Sequence, residues 1–303
     1  MSGLNSPIGI YQPLFNEAIR DYLDPGFITL DWLHNPSPEL RELALHHYIS
    51  QSRIFERHNL TGIVSPKFFS KTSLTSREVK DWISQNPGRE IYCFNGRPFV
   101  PYTCYHSVEQ AALSHPGFED GMRRVCRAIG FDLPVELGRQ TNQQTIYCNF
   151  WCASPSFWER WSQEIVLPIF ELVQSDPHLA SKVFRKMPYY SPVPVFLIVF
   201  IYERIMSFYI QLKGIDAAMF PWSEQRILGL DWLPPVRDYL ANNIRWIDEI
   251  DRRGRWTSDD RTRLADAYIE LLSRVDIRLN GATKFDPNNP DLPARRPPKD
   301  SPA

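Results

Sequence analysis

Residues 60–94, LTGIVSPKFFSKTSLTSREVKDWISQNPGREIYCF, decide how the fold is read. Leu60–Val64 is short and apolar, with branched Ile63 and Val64 at its end, as in a buried strand. Thr75 and Glu78 then stand three apart, the spacing at which each side chain satisfies the other's orphan N–H, and Val79, Trp82 and Ile83 follow as an apolar stripe. Asn86-Pro87-Gly88 stops that helix, and Glu90–Phe94 reads as a second strand with alternating exposure. Strand, helix, strand is the unit of an α/β layer fold.

Working outward, Ile8–Ile10 leads into Tyr11-Gln12-Pro13 as a first short strand, and Gly26–Leu33 (GFITLDWL) reads as another. Ser37 and Pro38 supply a helix start, and the helix is expected to run to about Arg57, with His47 lining the core and His46 more exposed. Ser107 with Gln110 forms a weaker capping box. Phe118–Ile129 is helical and closed by Gly130, and Ile146–Ala153 (IYCNFWCA) is a strand. Ser154-Pro155 opens a helix bearing Phe157, Trp158, Trp161 and Ile165, with Pro168 as a kink or break. Val193–Tyr202 (VPVFLIVFIY) continues as a helix through Phe208 and Ile210. It is too short to span a bilayer, which needs about 20 apolar residues, and Glu203-Arg204 ends it. Thr257 with Asp260 opens a last long helix ending near Gly281, and the proline-rich tail beyond Lys284 is expected to be disordered. The expected division is 1–215 as an α/β domain with a mostly parallel sheet, 216–283 as a helical C-terminal extension and 284–303 as tail.

Composition excludes several functions. The 303 residues carry 34 Lys+Arg against 35 Asp+Glu, interleaved along the chain, so the concentrated positive excess of a nucleic-acid binder is missing. Neither G-x-G-x-x-G nor G-x-x-x-x-G-K-[ST] occurs, nor H-E-x-x-H, C-x-x-C or G-x-S-x-G, which removes the signatures of dinucleotide oxidoreductases, P-loop NTPases, zinc peptidases and α/β-hydrolases. Five Cys without a paired spacing and an N-terminus without a signal-peptide pattern point to a reducing cytoplasm. Nine Trp suit either a broad core or a groove that stacks on rings.

The remaining chemistry lies at the ends of the expected strands, where open α/β sheets bind ligands. Tyr11 and Asp31 end the first two strands, Lys67 and Lys71 flank a Phe pair after the third, and Asn95 ends the fourth. Glu109, Gln110 and His115 come next, and Asn149 sits inside the fifth strand. Lysines beside such a loop can neutralise a diphosphate, and they can equally be ordinary surface lysines. Glu203-Arg204, in the middle of an apolar helix, is either a buried ion pair or a pair facing a polar cavity; in the second case burial raises the proton affinity of Glu203 and suits it to act as a base.

The segments NLTGIVSPKFF (59–69), EIYCFN (90–95), YCNFWCASPSFWERW (147–161) and FIYERIMSFYIQ (200–211) are together similar to a pattern in uncharacterised bacterial glycosyltransferases of capsule and O-antigen gene clusters. The resemblance covers roughly residues 8–212 and implies a GT-A-like fold, with Lys67 in the first motif, Cys148-Asn149-Phe150 in the second, and Glu203-Arg204-Ile205 with Ser207 in the third. It implies sugar transfer from a nucleotide-diphosphate donor to a hydroxyl of a surface polysaccharide or lipid-linked acceptor. In that picture Glu203 and Asp31 are catalytic, while Tyr11, Lys67, Lys71, Asn95, Glu109, Gln110, His115, Asn149 and Arg204 bind substrate. A divalent cation, Mg or Mn, is compatible with such enzymes, but the Asp-x-Asp that holds it is absent here, Glu249-Ile250-Asp251 being the nearest approach. The expected location is the cytoplasm or the inner face of the plasma membrane, with at most a weak peripheral contact and no nucleic-acid partner. The alternatives are a non-catalytic carbohydrate-binding or scaffold protein, stacking sugars on Trp32, Trp151 or Trp158, and a glycan-acting hydrolase.

Overall fold

A computed structural model of the chain describes residues 7–187, 195–275 and 295–298. Its strands are β1 (Ile8–Leu14), β2 (Ile28–Asp31), β3 (Leu60–Ile63), β4 (Ile91–Cys93), β5 (Trp151–Ala153), β6 (Lys186–Met187), β7 (Val195–Phe196) and β8 (Ala217–Met219). Its helices are α1 (Arg41–Ser52), α2 (Phe68–Thr72), α3 (Ser76–Gln85), α4 (Ser107–Ser114), α5 (Phe118–Ala128), α6 (Pro155–Trp161), α7 (Leu167–Ser175), α8 (Pro177–Val183), α9 (Leu197–Lys213), α10 (Glu224–Leu228), α11 (Pro234–Arg253) and α12 (Ser258–Arg274).

Six strands form one sheet in the order β2-β1-β3-β5-β4-β8. Five run the same way and β5 runs against them, antiparallel to both neighbours. Side chains alternate across a strand, so consecutive residues feed opposite cores. Tyr11, Ile63, Ile91, Cys93 and Trp151 enter a core with α1, α5, α6, α7 and α9, whereas Ile10, Val64, Tyr92, Phe94 and Cys152 enter one with α3, α11 and α12. Because both faces are covered, β4 is buried at every position, and the expected alternating exposure of 90–94 is not found.

Local signals held where the chain makes its own caps. Thr75 and Glu78 form the capping box of α3, Thr257 and Asp260 that of α12, and the Ser154 hydroxyl accepts from the Phe157 amide at the start of α6. Replacing Thr75 with alanine is expected to cost about 1 kcal/mol in urea denaturation. Elsewhere tertiary contacts moved the boundaries. The α1 helix stops at Ser52 because Arg53 turns left-handed (φ 51°), and a short 3-10 turn covers 54–57. Its histidines are reversed from expectation: His46 is fully buried, with Nδ1 hydrogen-bonded to the Tyr202 hydroxyl, while half-buried His47 stacks on Phe170. The cap of α4 is His106 rather than Ser107; its Nδ1 accepts from the Glu109 amide at 3.0 Å, and the Glu109 carboxylate accepts from the Tyr105 amide. Pro168 breaks nothing, because a π turn at 162–166 widens the helix just ahead of it and α6 runs into α7.

The sheet takes its last strand, β8, from beyond residue 215, and α11 and α12 share the second core with the sheet. Arg139 locks this arrangement: it pairs with Asp251 of α11 at 2.9 Å and donates to the Pro101 and Cys104 carbonyls. The C-terminal end of the expected last helix, near Gly281, and most of the proline-rich tail lie outside the described residues. No described helix is long and apolar enough to cross a membrane.

Candidate functional site

The carboxyl ends of β3 and β4, the turn that leads into β5 and the middle of α9 meet at one edge of the sheet. Sequence reading expected a strand over Ile146–Ala153, but only Trp151–Ala153 pairs. Ahead of it Cys148 (φ 67°) and Asn149 (φ 49°) are both left-handed, a strained conformation for side-chain-bearing residues. The turn is held from α9: the Cys148 amide donates to Glu203 Oε1 at 2.7 Å. It is held from α2 as well, where Lys71 Nζ lies 3.0 Å from Cys148 Sγ and over the Phe150 ring. Gly96 makes the approach possible, since a Cβ there would come within 2.9 Å of that sulfur.

Glu203 Oε2 accepts from Arg204 Nη1, which also donates to the Phe200 carbonyl at 3.2 Å, while Nη2 donates to Gln110 Oε1 at 3.0 Å. The guanidinium lies over Tyr147 and Phe118, and the Tyr147 hydroxyl also donates to Gln110. Burial pushes the Glu203 carboxyl up, but Arg204, Arg97, Lys71 and the Cys148 amide outweigh it and hold its pKa below the ordinary value. Both oxygens are occupied and the proton affinity is low, so Glu203 lacks the raised affinity expected of a base.

Several expected site residues converge here: Lys71, Gln110, Asn149, Arg204 and Glu203. His115 belongs to the same edge, stacked on Phe200 at 3.9 Å, and burial, followed by the Arg204 charge, lowers its pKa to about 4. Three buried polar atoms of this group, His115 Nδ1, Asn149 Oδ1 and Arg204 Nε, make no hydrogen bond among the described residues. Asn95 contributes indirectly. Its amide donates to Asn142 Oδ1 and its carbonyl oxygen accepts from the Arg97 amide, which fixes the turn that carries Arg97. Lys67 is the half-buried N-cap residue of α2, one turn before Lys71, which is the lysine bonded to Cys148.

Other expectations are corrected by position. Asp31 is exposed on edge strand β2, two strands from β3, and its carboxylate accepts from the Leu33 amide. Tyr11 points into the core, its hydroxyl 3.1 Å from His58 Nε2. Glu109 caps the Tyr105 amide and lines a cavity of about 310 Å³ with Tyr105, His106, Glu119 and Arg261, none of which is among the residues gathered around Glu203. Asp251, in the stretch nearest to Asp-x-Asp, is taken by Arg139 and by Trp256 Nε1. Among the described residues no group of three or more His, Cys, Asp or Glu side chains could hold a metal ion.

Two charged members were missed in the sequence. Arg97 acts on Glu203, Cys148 and His115, and its signal was its place directly after Asn95-Gly96 at a strand end. Glu42 acts on Tyr202 and is itself acted on by Glu203 and Lys71; in the sequence it looks like an ordinary first-turn acid of a helix. No protein-family model, curated protein or solved structure matches the chain.

Proposed function

We propose that this chain transfers a sugar from a nucleoside-diphosphate donor to a hydroxyl acceptor, on a GT-A-like variant of the α/β layer fold. The observation that carries the reading is the gathering of Lys71, Arg97 and Arg204 around Glu203 at the carboxyl rim of the sheet. Cations gathered at one rim of the sheet suit an anion and above all a leaving diphosphate, whose charge grows as the glycosidic bond breaks. The unbonded Asn149 and His115 atoms beside it offer hydrogen-bonding positions to sugar or ribose hydroxyls. The seat is built from nitrogen cations, whereas Mg and Mn take oxygen ligands, so these residues do not fit a metal-held diphosphate and no step is routed through one.

In this mechanism the acceptor oxygen attacks the anomeric carbon while the bond from that carbon to the diphosphate oxygen breaks, and the electron pair goes to the phosphate facing the three cations. A non-catalytic carbohydrate-binding role draws less support, because Trp151 and Trp158 are fully buried in the core and only half-buried Trp32 remains as a platform. Thermal shifts with UDP, GDP and CMP test the proposal. One of the diphosphates is expected to stabilise the protein, and Lys71→Met to weaken that ligand about tenfold to a hundredfold, the range of one charge-assisted hydrogen bond. No shift with any nucleotide would sink the reading, and release of free sugar without an acceptor would turn it toward a hydrolase.

A further inference from the structure

Glu42, His46 and Ser50 stand four residues apart on α1 and form one polar stripe along it. The orientation of the stripe is fixed by two of its members. His46 bonds the Tyr202 hydroxyl of α9, and Ser50 Oγ lies 2.7 Å from Ser162 Oγ of the π turn. Glu42 is the member nearest the helix start, facing the part of α9 where Tyr202 is followed by Glu203. Among the described residues its carboxyl takes no hydrogen bond or ion pair beyond its own backbone amide. The helix start is itself strained: Arg41, the first residue of α1, has φ 48° and ψ −126°, a conformation that clusters at ligand sites.

We propose that Glu42 is the base that takes the acceptor's proton, and that Glu203 is a positioning residue that holds Arg204 and the Cys148-Asn149 turn. The inference rests on the sugar-transfer reading. The division of labour follows from the surroundings of the two carboxyls. Glu203 has both oxygens bonded and three cations around it, so it stays ionised. Burial first, and then the Glu203 charge, push the Glu42 pKa up, while Lys71 and Arg41 offset this only in part. Tyr202, a further titratable group beside it, stays protonated because burial raises its pKa. A carboxylate with raised proton affinity and no side-chain partner among the described residues is suited to general-base work. In the step, the acceptor O–H proton passes to a Glu42 oxygen, the acceptor oxygen bonds to the anomeric carbon, and the diphosphate leaves with the electron pair of the broken bond.

Two measurements on the full chain test this. Carboxyl ¹³C NMR titration, with Glu42→Gln used to assign the signal, is expected to find Glu42 titrating above the ordinary carboxylate range and moving down in Glu203→Gln. Turnover with a panel of UDP-, GDP- and CMP-sugars is expected to fall about 10²- to 10⁴-fold in Glu42→Gln, with nucleoside-diphosphate affinity unchanged, the acidic limb of the pH profile lost and part of the rate kept in Glu42→Asp. An ordinary Glu42 titration overturns the inference, as does a Glu42→Gln rate close to wild type. A wild-type protein inert toward the whole panel sinks the transfer reading and the base role together, whereas an active wild type with an unaffected Glu42→Gln sinks the base role alone.

Discussion

Arg204→Met is expected to lower stability by about 3–5 kcal/mol in chemical denaturation at neutral pH, the scale of breaking one side of a buried ion pair. Arg204 has 6% of its side chain exposed and bonds Glu203, Gln110 and the Phe200 carbonyl. Methionine fills the space between Tyr147 and Phe118 but leaves the Glu203 carboxylate without its nearest cation. The loss is therefore one of charge compensation, and it can be repaired. Adding Glu203→Gln to Arg204→Met is expected to restore part of the stability, because no buried charge then lacks a partner. The pH dependence has a definite sign. Glu203 is depressed in the folded state, so its contribution is present above the unfolded carboxylate pKa and is lost as pH falls through the folded value. A loss below about 1 kcal/mol in the single variant would mean that the pair does not support the fold.

Acidification is the second large effect. His46 is 1% exposed among Trp151, Trp158 and Tyr202, and burial lowers its pKa from 6.5 to about 3. The native state therefore keeps this ring neutral while the unfolded chain binds a proton, so stability falls once pH drops below 6.5 and goes on falling until the folded ring titrates near 3. At about pH 4.5, two units below the unfolded value, His46 alone is expected to cost about 2–3 kcal/mol. Urea denaturation of wild type and His46→Asn at neutral and acidic pH checks this. The variant is expected to be less stable at pH 7, since Tyr202 loses a partner, yet to lose less on acidification. Equal slopes would show that His46 is not held neutral.

The parts of this architecture legible in the sequence are those the chain specifies locally. The Thr75–Glu78 and Thr257–Asp260 boxes, the Asn86-Pro87-Gly88 stop and the alternation of strands and helices were readable because each depends on neighbours a few residues away. The reversal of His46 and His47 was not, because both positions lie on the inward half of α1 and only the partner, Tyr202 or Phe170, decides which ring is sealed. The strand expected over 146–153 failed for a related reason. Its β-branched and aromatic residues favour extension, but Glu203, more than fifty residues later, draws the Cys148 amide out of the sheet. In the candidate site Lys71 and the Glu203-Arg204 pair were visible as charges in apolar company. Asp31 and Glu109 carried the same strand-end signal and proved to be caps of local turns, a use that composition cannot separate from ligand binding.

The most direct measurement is a crystal structure of the protein soaked with the nucleoside diphosphate that stabilises it best. The diphosphate is predicted to lie at the carboxyl rim of the sheet, with phosphate oxygens in hydrogen-bonding reach of Lys71 Nζ and the Arg97 guanidinium and with Asn149 beside the sugar-bearing end. Density for it elsewhere, for instance in the cavity beside Arg261, with Lys71 still turned to Cys148 and no ligand near Arg204, would contradict the proposal.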